Sequence, residues 1–185
     1  WHIWLTDLPA EQIYYNNAGV VMDRNLGATS ATPGDVGALG LLYQWGRKDP
    51  FLGSSSISSS QEALSTGKWY TASSGNQSKC ESNPTTFYTS MSLPDGSWSS
   101  EKSPNDPCPA GWRVPDGGET GLWATALGTA DTYNRNYDSI NHGINFSGEF
   151  GEDQMIWYSG SGYRNCYSGE YLGGNGYFWC FAWWR

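Results

Sequence analysis

The chain has few positive charges and no long apolar run, and each shortage excludes a class of function. It carries 10 Lys and Arg against 18 Asp and Glu, for a formal net charge of −8, and the basic residues form no cluster. Nucleic-acid binding depends on many Lys or Arg contacts with phosphates, so we exclude nucleic acid as a partner. No stretch approaches the roughly 20 apolar residues of a membrane span, so we expect none in this segment.

Residue sets for catalysis are also missing. The two histidines, His2 and His142, have no acidic or nucleophilic partner at a recognisable spacing, and neither G-x-S-x-G nor a phosphate-binding glycine motif occurs. We therefore predict that the chain is not an enzyme and uses no cofactor. Glu149, Glu152 and Asp153 form the densest acidic cluster. Such carboxylates can bind calcium or act in glycoside hydrolysis, although exposed acids are more often simply solvated.

Cysteine is sparse, and its spacing fits neither C-x-x-C nor a zinc site. The four cysteines are Cys80, Cys108, Cys166 and Cys180. In an exported protein disulfides are permitted, and four cysteines allow three pairings. A Cys166–Cys180 bond and free thiols both remain open from the sequence.

Aromatic residues and glycine are abundant instead. Aromatics make up 16% of the chain, which also has 24 Gly and 11 Trp. This composition favours strands, turns and long ordered loops over helices. The same balance is typical of binding surfaces, where rigid Tyr and Trp residues are flanked by small polar ones.

The stretch 106–116 is the most distinctive part of the sequence. Its three prolines fix φ and favour extended neighbours, which predicts a stiff strand rather than a helix. Asp116 and Glu119 have capping-box spacing, and they precede an apolar pattern of helical period. We therefore predict one main helix near 116–128. Trp112 and Trp123 should be buried, and replacing either by Ala should cost roughly 3–5 kcal/mol.

The rest of the chain predicts short strands separated by loops. Apolar runs bounded by turn residues indicate strands at 1–5, 20–22, 41–45 (or a short helical turn), 83–88 and 154–158. Glycine, serine and asparagine indicate an ordered loop at 28–40, a mobile loop at 52–65, an irregular segment at 69–76, a hairpin turn at 95–98 and a long loop at 131–150.

Two groups of charged residues invite structural interpretations. Asp23 and Arg24 follow an apolar strand, and we expect a buried ion pair that holds loops together. Arg47, Lys48 and Asp49 stand beside Pro50, and we expect a salt-bridged corner there. Both interpretations are preferred to a binding role.

Several long stretches resemble one known family. The signature stretch is DPCPAGWRVPD followed by Trp123, and further similar stretches are WHIWLTD, VMDRNLGA, GLLYQWGRKDPF, SGYRN and GYFW. Together they resemble the Fibrobacter succinogenes major paralogous domain, as found at the C-termini of fimbrillin-like adhesins of Bacteroidetes. The resemblance runs from end to end of the chain. It implies an α+β fold of the C-type-lectin-like class, formylglycine-generating-enzyme subtype, forming one domain over 1–185.

The chain departs from that family at its end. The family normally closes with a strand of the type G-x-S-V-R-C-V-R, whose cysteine is the usual partner of the one matched by Cys108. This chain stops at Arg185 without that strand. The resemblance therefore implies an open sheet edge that favours oligomerisation or strand donation from another chain.

The segment 157–185 is the candidate site. It holds five of the 12 Tyr and four of the 11 Trp, between Gly, Ser and Asn, at spacings that fit neither a helix face nor strand alternation. Amphipathic rings on glycine-rich turns suit stacking on sugars or protein partners, and the alternative is that the rings pack among themselves. The predicted ligand-binding residues are Tyr163, Arg164, Asn165, Tyr167, Glu170, Tyr171, Asn175, Tyr177, Trp183 and Trp184.

Three functional hypotheses follow. The preferred one is a non-enzymatic adhesin or receptor-binding domain at a cell surface or fimbrial tip, anchored to the outer membrane through a preceding region, with a host or bacterial surface protein or glycan as partner. The second is a variable protein of a diversity-generating retroelement, from a phage particle or a bacterium, because such proteins resemble this fold subtype and diversify their C-terminal segment. The third, a glycan-processing or formylglycine-type enzyme, lacks catalytic residues. A near-identical template repeat beside the gene would separate the second hypothesis from the first.

Overall fold

The computed structural model describes residues 11–12, 21–51, 70–92, 98, 101–116, 137–145, 157–164 and 171–172. These residues form short strands with a 3₁₀ helix, Val36–Ala38, and one α-helix, α1, Gln77–Ser82. The mixture confirms the α+β class in its coarse form. The strands are β1 (Glu11–Gln12), β2 (Val21–Met22), β3 (Leu42–Tyr43), β4 (Pro50–Phe51), β5 (Tyr70–Ala72), β6 (Gly75–Asn76), β7 (Thr86–Tyr88), β8 (Met91–Ser92), β9 (Tyr137–Asp138), β10 (Gly143–Asn145), β11 (Trp157–Ser159), β12 (Tyr163–Arg164) and β13 (Tyr171–Leu172).

The strands pair in small sheets. Antiparallel pairs join β1 to β2, β3 to β4 and β12 to β13, and β9, β10 and β11 form a three-stranded antiparallel sheet with β10 in the centre. Two pairs are parallel, β5 with β7 and β6 with β8. Parallel strands need a crossover connection, and α1 lies in the connection from β6 to β7.

Helix α1 was not predicted, because its sequence has no apolar period. Its ends are stabilised by side chains: Asn76 Oδ1 accepts a hydrogen bond from Lys79 N at 2.9 Å, and Asn83 Nδ2 donates to Lys79 O at 3.1 Å. Cys80 is the buried residue of the helix. A six-residue helix is marginal by itself, so these caps and the burial of Cys80 account for it.

Arg47 is buried in the core and binds backbone carbonyls. Only 1% of it is exposed. It donates to Pro84 O at 3.0 Å and Thr86 O at 2.7 Å, and its guanidinium carbon lies 4.9 Å from the centre of the Phe51 ring. The predicted salt-bridged corner with Asp49 is wrong, because the carbonyl oxygens before and within β7 take the guanidinium donors instead. Arg47 thereby joins the β3–β4 region to β7.

The stretch 106–116 is an ordered loop around one carboxylate. Asp106 Oδ1 accepts from Cys108 N at 2.8 Å, and Asp106 Oδ2 accepts from Val114 N at 2.8 Å. The predicted stiff strand is wrong: Trp112 N bonds to Pro109 O at 3.0 Å and closes a turn. With three prolines, this backbone offers few N–H groups to a strand partner, and the carboxylate of Asp106 binds two of those available.

The predictions attached to this stretch have mixed outcomes. Trp112 is half-buried rather than buried. Asp116 pairs its carboxylate with Arg113, at 2.8 Å. The predicted helix beyond position 116 and Trp123 lie outside the described residues.

Turn chemistry explains a hairpin that the sequence did not predict. The prediction of a long loop at 131–150 is wrong in part, because this stretch contains β9 and β10. Asp138 Oδ1 accepts from Ile140 N at 2.7 Å and Asn141 N at 3.0 Å, which fixes the turn between the strands. Gly143 allows the Trp157 ring to lie against the backbone, since a Cβ there would stand 2.2 Å from the ring.

Most predicted elements in the described residues are confirmed. The strand at 20–22 appears as β2, 41–45 contains β3 followed by a turn, 83–88 is a turn into β7, and 28–40 is an ordered loop. Of the strand predicted at 154–158, Trp157 and Tyr158 belong to β11, which continues to Ser159, and 154–156 lie outside the described residues. The irregular segment predicted at 69–76 instead contains β5 and β6. The strand at 1–5, the loop at 52–65, the turn residues 95–97 and the acids Glu149, Glu152 and Asp153 lie outside the described residues.

Two described cysteines, Cys80 and Cys108, are free thiols. Cys166 and Cys180 lie outside the described residues, so both alternatives for them, a Cys166–Cys180 bond and free thiols, stay open. Burial, together with the neighbouring Asp106 charge, raises the pKa of the Cys108 thiol to about 12.

Replacing Arg47 by Met should destabilise the protein by about 3 kcal/mol or more, because Arg47 is 1% exposed and its hydrogen bonds to the carbonyls of Pro84 and Thr86 are lost. The matched control is Arg113→Met. Arg113 is exposed and makes an exposed ion pair, so that variant should change stability by about 0.5 kcal/mol or less. Urea unfolding of both variants measures the difference, and equal losses would contradict the role assigned to Arg47.

The raised pKa of Cys108 predicts a loss of stability at alkaline pH. An unfolded cysteine ionises near pH ~8.5, whereas the folded one stays protonated up to about pH 12, so rising pH favours the unfolded state between these values. Raising the pH from 8 to 10 should therefore lower the urea midpoint of the wild type more than that of Cys108→Ser. Identical pH dependence in the two proteins would refute this explanation.

Candidate ligand-binding ribbon

The structure describes the backbone of three predicted site residues. Tyr163 and Arg164 form β12, and Tyr171 begins β13. The other predicted site residues lie outside the described residues: Asn165, Tyr167, Glu170, Asn175, Tyr177, Trp183 and Trp184.

The two strands form a narrow antiparallel ribbon, called the ribbon below. Tyr163 is paired with Leu172, and Arg164 is paired with Tyr171. Paired positions of an antiparallel ladder belong to the same face and have Cβ atoms about 5 Å apart. Positions 164 and 171 therefore share one face of the ribbon, which brings together an arginine and a tyrosine separated by six residues in the sequence.

The segment that leads into the ribbon is fully buried. This segment, 157–162, is called the root and consists of β11 and the three residues after it. Gly160 N donates to His142 O at 2.8 Å, which continues the pairing of β11 with β10 beyond the strand. Gly162 then adopts a φ of +74°, a left-handed conformation that favours glycine, immediately before Tyr163.

The side chain of Asn25 binds the root. Its Nδ2 atom lies 2.9 Å from Ser159 O, 3.0 Å from Ser161 Oγ, 3.3 Å from Leu39 O and 3.4 Å from Ala38 O. Ser161 Oγ in turn donates to Leu39 O. Asn25 and Ser161 are 2% and 0% exposed. These contacts join three segments that are distant in sequence: the turn after β2, the ordered loop and the root.

The predicted ion pair between Asp23 and Arg24 forms, at 2.7 Å and 2.8 Å. It is half-buried rather than buried, since the Arg24 and Asp23 side chains retain 19% and 14% exposure. Asn25, the next residue along the chain, supplies the contacts described above that join the loops.

Tyr158 adds a second connection, between the root and β2. Its hydroxyl donates to Met22 O, and the residue is 2% exposed. Burial raises the pKa of Tyr158, because the charged phenolate would lose its hydration in this environment. The phenol therefore remains a hydrogen-bond donor at any physiological pH.

The sequence contained only a weak signal for this network. The S-G-S-G run at 159–162 follows the apolar pair Trp157–Tyr158, and small residues at such a position indicate close packing. Nothing in the sequence indicated that Asn25 would be buried, because asparagine after two charged residues is typical of an exposed turn.

The described residues show neither a metal centre nor a membrane span. Among them, no three His, Cys, Asp or Glu side chains come close enough to hold a metal ion. Within the same residues, no helix has the length and apolar character needed to cross a membrane.

The chain matches no family model, no curated protein and no solved structure.

Replacing Gly162 by Ala should destabilise the protein by about 1–2 kcal/mol and displace the ribbon, because alanine disfavours the left-handed conformation. Gly111→Ala is the matched control. Gly111 has a similar φ of +86°, and a Cβ there would meet nothing within 4 Å. Both variants should lose similar stability by thermal unfolding. Only Gly162→Ala should shift the amide resonances of Tyr163 and Arg164, and unchanged resonances would contradict the role of Gly162 at the root.

Proposed function

We propose that this chain is a non-enzymatic ligand-binding domain of the adhesin or receptor-binding type, with a C-type-lectin-like fold of the formylglycine-generating-enzyme subtype. It acts at a cell surface or fimbrial tip and binds a surface protein or glycan through its aromatic C-terminal segment. The observation that supports this most is the pairing of Arg164 with Tyr171 on a ribbon that continues directly from a buried root.

The root gives the ribbon a defined position. An isolated two-stranded ribbon is marginally stable in water, and ordering it upon binding would reduce affinity. Here the preceding residues, Ser159 and Ser161, are fixed by Asn25, and Gly160 is fixed by His142. Residues attached to such a support lose less conformational entropy when a ligand binds. The arrangement therefore favours recognition by a preorganised surface.

The residue types of the ribbon suit recognition rather than catalysis. Tyrosine provides a rigid ring with few rotatable bonds and a hydroxyl group for hydrogen bonding, and arginine provides a planar set of donors. Tyr and Arg are enriched among the residues that dominate binding energies at interfaces. Sugar rings and protein side chains can both stack on tyrosine, so glycans and surface proteins belong in the same test.

The double variant Tyr163→Ala/Tyr171→Ala should lose binding on a combined array of glycans and surface proteins. The thermal unfolding temperature should stay nearly unchanged, because the proposal has these rings contact the ligand rather than the core. Ile140→Ala is the control, since Ile140 is 84% exposed on the β9–β10 turn and should leave both properties unchanged.

Two results would contradict the proposal. A large loss of stability in the double variant would mean that the rings belong to the core. Full retention of binding would mean that the ligand contacts another surface of the protein. The array also identifies the ligand class, since the wild-type protein is tested on both kinds of component.

A further inference from the structure

We infer that Asn25 is a positioning residue for ligand binding: the two N–H groups of its amide fix the place where the ribbon leaves the β9–β10–β11 sheet. The expected effect of Asn25 on ligand affinity rests on the proposed function. The structural part, control of the ribbon by a buried amide, can be tested without any ligand. Asn25 is 2% exposed, so it acts on the binding surface only through other residues.

The available hydrogens assign the bonds in the network. The amide nitrogen carries two hydrogens but has four acceptors within 3.4 Å. The two shortest contacts are those to Ser159 O and Ser161 Oγ, and both acceptors belong to the root. Leu39 O receives the hydroxyl hydrogen of Ser161 instead. Three donor hydrogens thus form three bonds, and both amide hydrogens are directed to the root.

Among the described residues, the oxygen of the amide has no partner. Asn25 Oδ1 is buried there without a hydrogen-bond donor, and so is Ser159 Oγ. Unpaired buried polar atoms are costly, and this cost offsets much of the stabilisation that the amide donors contribute. The main effect of Asn25 is therefore on the geometry of the root. A carboxylate of the same shape would place an acceptor against Ser159 O, and two acceptors cannot form a hydrogen bond. Aspartate therefore cannot replace Asn25.

The distance along the chain from the network to the ribbon is short. Gly162 alone separates Ser161 from Tyr163, and two residues span at most about 7 Å. Ser161 is fully buried and bonded to both Asn25 and Leu39. A displacement of Ser161 therefore also displaces the first strand of the ribbon, because Gly162 alone lies between them.

The test compares two chemically identical substitutions, Asn25→Asp and Asn76→Asp. Asn76 is the exposed N-cap of α1, where aspartate is as good a cap as asparagine, so this variant is the control. Hydrogen exchange of individual amides is measured by NMR in the full chain. We expect Asn25→Asp to accelerate exchange at Tyr163, Arg164, Tyr171 and Leu172. The amides of β5 and β7, which lie in the region held by Arg47, should keep their wild-type rates.

A milder variant keeps the inference testable if Asn25→Asp does not fold. Ser161→Ala removes one acceptor of the amide and the donor to Leu39 O without introducing a charge. It should accelerate exchange at the same ribbon amides by a smaller factor. If Ser161→Ala and Asn25→Asp both leave ribbon exchange at the wild-type rate, or accelerate β5 and β7 equally, the inference is overturned.

The affinity measurement uses the array component that gives the strongest wild-type signal. Asn25→Asp or Ser161→Ala should weaken its binding by about tenfold, because a displaced surface must be reordered on binding. Wild-type affinity in a variant with accelerated ribbon exchange would overturn the positioning role while leaving the proposed function intact. If the wild type binds no component, the proposed function fails, and the exchange rates still decide whether Asn25 positions the ribbon.

Discussion

The buried amide of Asn25 is the contact on which the candidate site depends. It joins the turn after β2 to the root of the ribbon across more than 130 positions of sequence, with Ser161 completing the connection to Leu39. No pairing between described strands links these segments. Side-chain hydrogen bonds connect them instead. Within the described residues, these hydrogen bonds connect the root of the ribbon to the turn after β2 and to the ordered loop.

The same principle recurs in two other parts of the fold. Arg47 donates to carbonyls around β7, and Asp106 accepts amide hydrogens from both ends of a proline-rich loop. Strands of two or three residues satisfy few of their backbone groups, and buried backbone groups require partners. Buried polar side chains supply those partners here. This explains how a glycine-rich chain with short strands can hold long loops in place.

Sequence reasoning succeeded where local patterns determine the structure. The apolar residues of β2, β7 and β11 are bounded by turn residues, and these strands were predictable to within a few positions. It failed for α1 and the β9–β10 hairpin, because their stability comes from capping and turn hydrogen bonds that leave no apolar period. Most partners of Asn25 and Arg47 were unpredictable for a different reason: they are backbone carbonyls, which carry no residue-specific signal. Of the candidate site, the sequence predicted the residues but neither the Arg164–Tyr171 pairing nor its buried support.

The most direct measurement of the central claim is a hydrogen-exchange footprint of the protein bound to its strongest array component. The account predicts slower exchange at the ribbon amides of β12 and β13, with smaller protection in the root and unchanged exchange in β5 and β7. Protection confined to 70–92 or to 101–116, with ribbon exchange at its free rate, would contradict it. In that case the aromatic C-terminal segment would not be the binding surface, and the network around Asn25 would serve the fold alone.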